Sequence, residues 1–430
     1  MKKVLFKIAI ILVLAVIGYY TYLYINEKTT VYDHKVVICI PVYGQSYALG
    51  EEATRITDFD SLRIKYDGRI VTEHMDYVFG YYDHSSRLKQ YVKRLLHYDK
   101  KAFEISVYGL AETLVPQLGE DTIVCIFPGG HGMDAITRLM KPVKPYNKFI
   151  EEIAYAYQQA VKRGWEFYVP AVCWMQGESD VVEYANTDYK TLFHQMYDTL
   201  NTDIKNVTHQ QTNIRIICYQ TSAITKGERY KLNNYSALEP RTPTAQMEMI
   251  KEDSLIWASG PTYPYHFVRD ALHIDAIGQK SIGALAAISA LKIIRHETPS
   301  IGLMPLDFIV SENHIRIPFY VPCPPLCFDT IAVRKADNYG FNVIRKDNAD
   351  IISSVSINQD TVIINCKESP LDCKLRYAVN GEYLKGGYQL GPRGNLRDSQ
   401  GDIKTFVNAG KTYPLHNWCY MFDYLCTPNK

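Results

Sequence analysis

The chain has 430 residues, 47% hydrophobic and 22% charged, a composition that excludes bulk disorder and permits a large core. Its 47 basic and 46 acidic residues leave a formal net charge of +1, and no long basic run occurs, which argues against a nucleic-acid partner. Tyrosine is heavily used, at 34 residues; it packs as a hydrophobe while offering a hydroxyl.

Lys2, Lys3 and Lys7 flank an uncharged, apolar run over residues 8–25, close to the ~20 residues that cross a hydrocarbon core as a helix. Tyr19, Tyr20, Tyr22 and Tyr24 suit the membrane–water interface. The lysines would stay cytoplasmic, so the body of the chain is expected on the extracytoplasmic side. Residues 1–28 then read either as an uncleaved signal anchor or as a signal peptide cut near Gly18. Length and flanks favour the anchor, with the membrane as a partner; cleavage would give a secreted form. Export would also permit disulfides among the six late cysteines, Cys323, Cys327, Cys366, Cys373, Cys419 and Cys426. Zinc lacks a C-x-x-C pair or His spacing to support it. Cys39, Cys125, Cys173 and Cys218 sit in apolar runs and read as buried hydrophobes.

Short apolar runs at 36–41, 122–127, 167–174 and 214–219 predict strands buried on both faces. Helices are predicted at 148–163, stopped by Gly164, at 188–200 and at 243–251. A further helix at 277–294 is apolar around most of its circumference and is expected to be buried. Strands alternating with helices imply an α/β domain whose parallel sheet is covered on both sides, over residues 29–296. A Pro- and Gly-containing stretch at 297–305 reads as a linker. Residues 306–430, without an amphipathic helix, read as a smaller all-β, sandwich-like domain.

Four short blocks carry candidate chemistry. Gly44-Gln45-Ser46 ends the first predicted strand, where a serine hydroxyl points into a loop crevice; a turn or cap serine is the plainer reading. Gly109, within Tyr108–Glu112, allows close backbone approach to a ligand or simply a turn. Trp174-Met175-Gln176-Gly177-Glu178-Ser179-Asp180 places three polar side chains at a strand end, where they have no evident core role. Asp270-Ala271-Leu272-His273 spaces an acid so that one turn can set it beside the imidazole, fixing its tautomer; a capping Asp with a surface His is the alternative.

Taken in order, these blocks resemble the SGNH (GDSL-like) hydrolase superfamily, and the Trp-x-Gln-Gly-Glu-x-Asp block resembles its sialate O-acetylesterase and carbohydrate esterase family 6 branch. The resemblance spans about residues 35–296 and implies a three-layer α/β/α domain. It implies Ser46 as nucleophile, His273 as general base and Asp270 as the acid that orients it. The oxyanion hole would take the N–H groups of Ser46 and Gly109 and the Gln176 amide. Gln45, Glu178, Asp180, Gly130 and His131 would support the site; His131, itself a departure from the family loop, reads either as a substrate contact or as a solvent-exposed loop His. The implied substrate is an acetylated glycan such as a sialic acid or xylan, with no metal and no cofactor.

Two positions depart from the family pattern: Tyr47 stands in place of Asn, and His131-Gly132 in place of Thr-Ser. Both bear on the substrate more than on the chemistry. A non-catalytic glycan-binding protein and an SGNH lipase are the competing readings. In the C-terminal region, Arg397 and Asp398 read as an ion pair and Trp418 as core, with glycan contact as the sharper alternative.

Overall fold

A computed structural model of the chain describes residues 34–75, 103–182, 188–222, 240–381 and 385–428. The expected anchor at 1–28 lies outside the described residues. The apolar runs form parallel strands, most of them in two tiers. β1 (Val36–Cys39) continues into β2 (Val42–Gly44), β4 (Thr122–Cys125) into β5 (Pro128–Gly130), and β6 (Glu166–Tyr168) into β7 (Ala171–Met175). Prolines cause two of these interruptions. Pro41 and Pro170 have no N–H to give the ladder, yet their carbonyls still accept from Cys173 and Arg215, each at 2.9 Å, so the sheet runs through the breaks. With β3 (Ile70–Val71), β8 (Arg215–Gln220) and β9 (Ile256–Pro261), the order is β3, β4/β5, β1/β2, β6/β7, β8, β9, with every neighbouring pair parallel.

Successive strand residues face opposite sides, and each side has its own apolar cluster. Val37, Cys39, Tyr43, Val172 and Trp174 join one; Ile38, Ile40, Val42, Cys173 and Met175 join the other. The second cluster is covered by α1 (Phe59–Lys65), α2 (Ser106–Leu114) and α7 (Ala276–Ile294). The first is covered by α3 (Lys144–Lys162), α5 (Tyr189–Thr208) and α6 (Arg241–Glu252). A short helix, α4 (Glu178–Val182), follows β7. This is the expected three-layer α/β/α arrangement. Asp188 caps α5 by accepting from the Thr191 N–H at 3.1 Å, and Asp275 caps α7 by accepting from Gly278 N–H at 2.8 Å. Helix α7 is apolar and long enough to cross a membrane, but 72% of its span is buried inside the protein, as a core helix should be.

The α2 stretch contradicts the turn expected around Gly109. A Cβ there would stand 2.4 Å from the Lys280 carbonyl oxygen, so glycine lets α2 and α7 meet backbone to backbone, beside an ion pair at 2.7 Å between buried Lys280 and half-buried Glu112.

The C-terminal region is antiparallel. Its main sheet holds β10 (Met304–Pro305), β11 (Ile309–Val310), β12 (His314–Tyr320), β15 (Ile352–Asn358) and β16 (Thr361–Cys366). A second has β17 (Lys374–Tyr377) between β14 (Phe341–Ile344) and β21 (Phe422–Leu425). The short β13 (Cys327–Phe328) pairs with β18 (Leu396–Arg397), and β19 (Thr405–Asn408) with β20 (Lys411–Pro414).

Residues 297–305 do not behave as a tether. The Ser300 carbonyl accepts from Ala258 N–H at 3.1 Å, and Leu303 and Met304 are buried in the cluster that also holds Trp174, Tyr377 and Phe422. Gln220 closes the seam by exchanging two hydrogen bonds with the Met421 backbone, at 2.7 and 2.8 Å. The two regions therefore share one core. Arg397 pairs with Asp329 at 2.7 Å rather than with Asp398, whose carboxylate instead accepts from the Cys323 and Asn417 backbones. Trp418 is buried, and all ten cysteines are thiols.

Candidate active site

Strand β2 ends at Gly44, and its chain runs into a helix-like turn in which the Gln45 carbonyl accepts from Ala48 N–H at 2.9 Å. β1/β2 is also the point where the sheet order reverses, because the chain adds β3 and β4 on one side and β6 onward on the other. Ser46, first in that turn, sits at the carboxyl edge of the sheet and is buried. Its N–H has no partner among the described residues, so it is available to an oxygen placed before the hydroxyl.

Between β9 and α7 the chain forms a small loop in which Val268 N–H donates to the His273 carbonyl at 2.8 Å and Asp275 N–H to His266 at 2.9 Å. It places His273 Nε2 at 2.7 Å from Ser46 Oγ and Nδ1 at 2.5 Å from Asp270 Oδ2. The other Asp270 oxygen accepts from the Leu272 and His273 N–H groups at 2.9 and 3.0 Å, which orients the carboxylate. With Nδ1–H held by Asp270, Nε2 is left to accept the serine proton. Burial alone would lower the His273 pKa, but the hydrogen bond and charge of Asp270, with Glu51 and Glu178 beyond, hold it above the ordinary value. Burial, the largest single influence, would raise that of Asp270, but the hydrogen bond and charge of His273 and the two backbone N–H bonds together outweigh it and lower it.

Tyr47, the departure at the family's Asn position, lies behind the imidazole. Its ring is 5.5 Å from that of His273, and its hydroxyl donates to the Leu272 carbonyl. Tyr219 packs against Tyr47 at 5.7 Å and donates to Glu178 Oε1 at 2.5 Å. Burial pushes the Glu178 carboxyl up, against the pull of that bond.

The third block folds inward as one buried network. Gln45 Oε1 accepts from Gly177 N–H and Ser179 N–H, both at 3.3 Å, joining the nucleophile turn to the strand end. The Gln176 amide donates to Asp180 and to the Asp134 carbonyl, and its Oε1 accepts from Tyr189 at 3.0 Å. An oxyanion would have to compete with the Asp180 carboxylate and the Asp134 carbonyl for the hydrogens of Gln176, the residue expected as an oxyanion donor. Asp180 also accepts from Ile136 N–H at 3.0 Å, and burial holds its carboxyl up at about 6. Gln246 donates to the Gln176 carbonyl at 2.8 Å and accepts from Thr221 N–H at 2.9 Å. Tyr189 and Gln246 carried no signal in the sequence, since each is one polar residue on an amphipathic helix.

Gly130 ends β5 at φ +117, and a Cβ there would meet the Gly44 carbonyl oxygen at 1.8 Å, so glycine is required beside the nucleophile strand. His131 follows, with its N–H on Gly44 O at 3.1 Å and its Nδ1 3.0 Å from Asp134 Oδ2; its side chain is 45% exposed. The structure thus brings together Ser46, Asp270 and His273, ties Gln45, Gln176, Glu178 and Asp180 into a support, and leaves Gly109 in a helix contact. Among the described residues, no group of three or more His, Cys, Asp or Glu side chains is arranged to hold a metal.

Residues 92–292 match the family of carbohydrate esterases, sialic acid-specific acetylesterases. No curated protein matches the chain. Among solved structures, the chain is similar to a carbohydrate acetylesterase of Xanthomonas citri at 15% identity and a TM-score of 0.48, over 75% of this chain and 66% of that one. It is similar to NanS at 14% identity and a TM-score of 0.41, over 61% and 99%. A protein of Arabidopsis thaliana shares 17% identity at a TM-score of 0.39, over 60% and 98%. The chain spans about two thirds of the length of the Xanthomonas protein.

Proposed function

From the premise that the α/β domain is a carboxylic ester hydrolase domain resembling sialate O-acetylesterases, we propose that the protein is an exported serine esterase removing O-acetyl groups from a carbohydrate. The observation that carries this reading is the relay from Ser46 through His273 to Asp270, at 2.7 and 2.5 Å.

A serine hydroxyl is a weak nucleophile until a base takes its proton. Ser46 Oγ attacks the acetyl carbonyl as His273 Nε2 takes the hydroxyl proton, and Asp270 stabilises the imidazolium. The tetrahedral oxyanion takes the Ser46 N–H, a contact worth roughly 2.7–4 kcal/mol for a typical oxyanion-hole donor. Collapse breaks the bond from the acetyl carbon to the sugar oxygen, which leaves with the proton from His273. Water then gives a proton to His273 and attacks acetyl-Ser46; acetate departs and Ser46 regains its proton. The steps draw on the Ser46, His273 and Asp270 side chains, the Ser46 backbone N–H and one water. The exposed His131 side chain, which follows the glycine beside the nucleophile strand, is the candidate contact to the sugar.

Candidate substrates are O-acetylated sialic acid, acetylxylan and other acetylated glycans. The test is acetate release from these and from an aryl acetate by the wild type and by Ser46→Ala. The reading expects release that Ser46→Ala abolishes, with the preferred glycan naming the substrate class. Wild-type inactivity across the panel, with retained glycan binding, would replace it with a binding module.

A further inference from the structure

The loop that carries Asp270 and His273 is gripped from outside by the C-terminal region. Residues 385–391 cross it, and two consecutive glycines make the contact. A Cβ on Gly386 would stand 2.5 Å from the Ala271 carbonyl oxygen and 2.7 Å from the Phe267 ring. One on Gly387, at φ +78, would stand 2.8 Å from the Tyr265 carbonyl oxygen and 2.9 Å from that ring. The Tyr388 N–H donates to the Tyr265 carbonyl at 3.3 Å. On its far side the segment is tied to its own region, since the Tyr388 carbonyl accepts from Arg334 N–H at 3.1 Å and the Gly391 carbonyl from Arg393 at 3.0 Å.

What it presses on is the backbone between the catalytic acid and base. Ala271, between the catalytic acid and base, has φ +56, a left-handed conformation that a residue with a Cβ adopts at a cost. From inside, Tyr47 holds the next carbonyl, that of Leu272. Ala271 and Leu272 are therefore clamped between Tyr47 and Gly386.

We propose that residues 385–391 are a positioning strap, through which the C-terminal β region holds the Asp270–His273 loop in its productive geometry. The strap touches no substrate and acts through the loop. The inference rests on the reading of Ser46, Asp270 and His273 as the catalytic triad. Misplacement of a catalytic group by about 1 Å can cost on the order of a hundredfold in rate, so modest loosening is expected to register.

The test compares Gly386→Ala, which forces the strap off the loop, and Phe267→Leu, which shrinks the surface it rests on without a clash, with the wild type. Gly119→Ala is the control, because the nearest atom to its Cβ would be 3.9 Å away. Ser46-dependent acetate release is measured across pH, and the downfield proton resonance of His273 Nδ1 is followed by NMR, which reads the loop without any turnover. The groups around His273 are Asp270, Glu51 and Glu178. The strap predicts a kcat at least roughly tenfold lower in Gly386→Ala and several-fold lower in Phe267→Leu. It also predicts KM within about twofold, an acid limb moved to lower pH as Asp270 loosens its hold, and a weakened downfield resonance. If Gly386→Ala fails to fold, Phe267→Leu decides. Folded variants with wild-type kcat, pH profile and resonance would overturn the strap.

Discussion

His273 Nε2 stands 2.7 Å from Ser46 Oγ although 227 residues separate them in the chain. Strand β2 delivers the serine to the carboxyl edge of the sheet, and the loop before α7 delivers the imidazole. The sheet order thus turns two distant short blocks into one proton-transfer pair.

The pH dependence follows from that pair. His273 must be neutral to accept the serine proton, and its pKa lies above the ordinary 6.5. Acetate release should therefore rise with pH through an apparent pKa above 6.5. Stability runs the opposite way. A folded pKa above the unfolded one means the His273–Asp270 pairing stabilises fully below the unfolded imidazole pKa and is lost as pH rises through the folded one. A kcat/KM profile beside denaturation curves at matched pH checks both directions.

Asp270→Asn keeps the shape of the side chain but removes the charge, and its amide can turn a hydrogen toward Nδ1. The wrong tautomer then leaves Nε2 protonated. A kcat loss of about 10³–10⁴-fold with little change in KM is expected, measured by steady-state acetate release.

Tyr47→Phe removes the hydroxyl that the Leu272 carbonyl accepts from while keeping the ring beside His273. The loss should be about 1 kcal/mol in chemical denaturation. A several-fold lower kcat should accompany it, because the carbonyl next to the strap contact loses its inner anchor.

A chain ending at residue 296 should fail to give a soluble, cooperatively folding protein. Removing the C-terminal region would uncover Tyr263, whose hydroxyl donates to the Cys419 carbonyl at 2.8 Å, and would leave the Gln220 amide without its Met421 partners. Buried polar groups left unpaired cost about 1–3 kcal/mol each, before the lost apolar burial is counted. Solubility and a thermal melt of that truncated chain check it.

The same seam marks where sequence reading ran short. Strands buried on both faces announce themselves as unbroken apolar runs, and four were legible, though Pro41 and Pro170 split two of them. β9, IWASGP, carries its own Gly-Pro and reads like a turn; α2 has Gly109 in its interior and does the same. Ser46, Asp270 and His273, which the fold brings together, could be singled out as candidates because their blocks keep a recognisable order. The seam, the Gln176–Asp180–Tyr189–Gln246 network and the strap were not, because each joins positions far apart whose partners only the folded chain defines.

The most direct test of the central claim is covalent. Treatment with a serine-directed fluorophosphonate, followed by peptide mass spectrometry, should place the label on Ser46 and nowhere else. His273→Ala should slow that labelling by orders of magnitude. Sustained acetate release with Ser46 unlabelled, or with the label on another residue, would contradict the account.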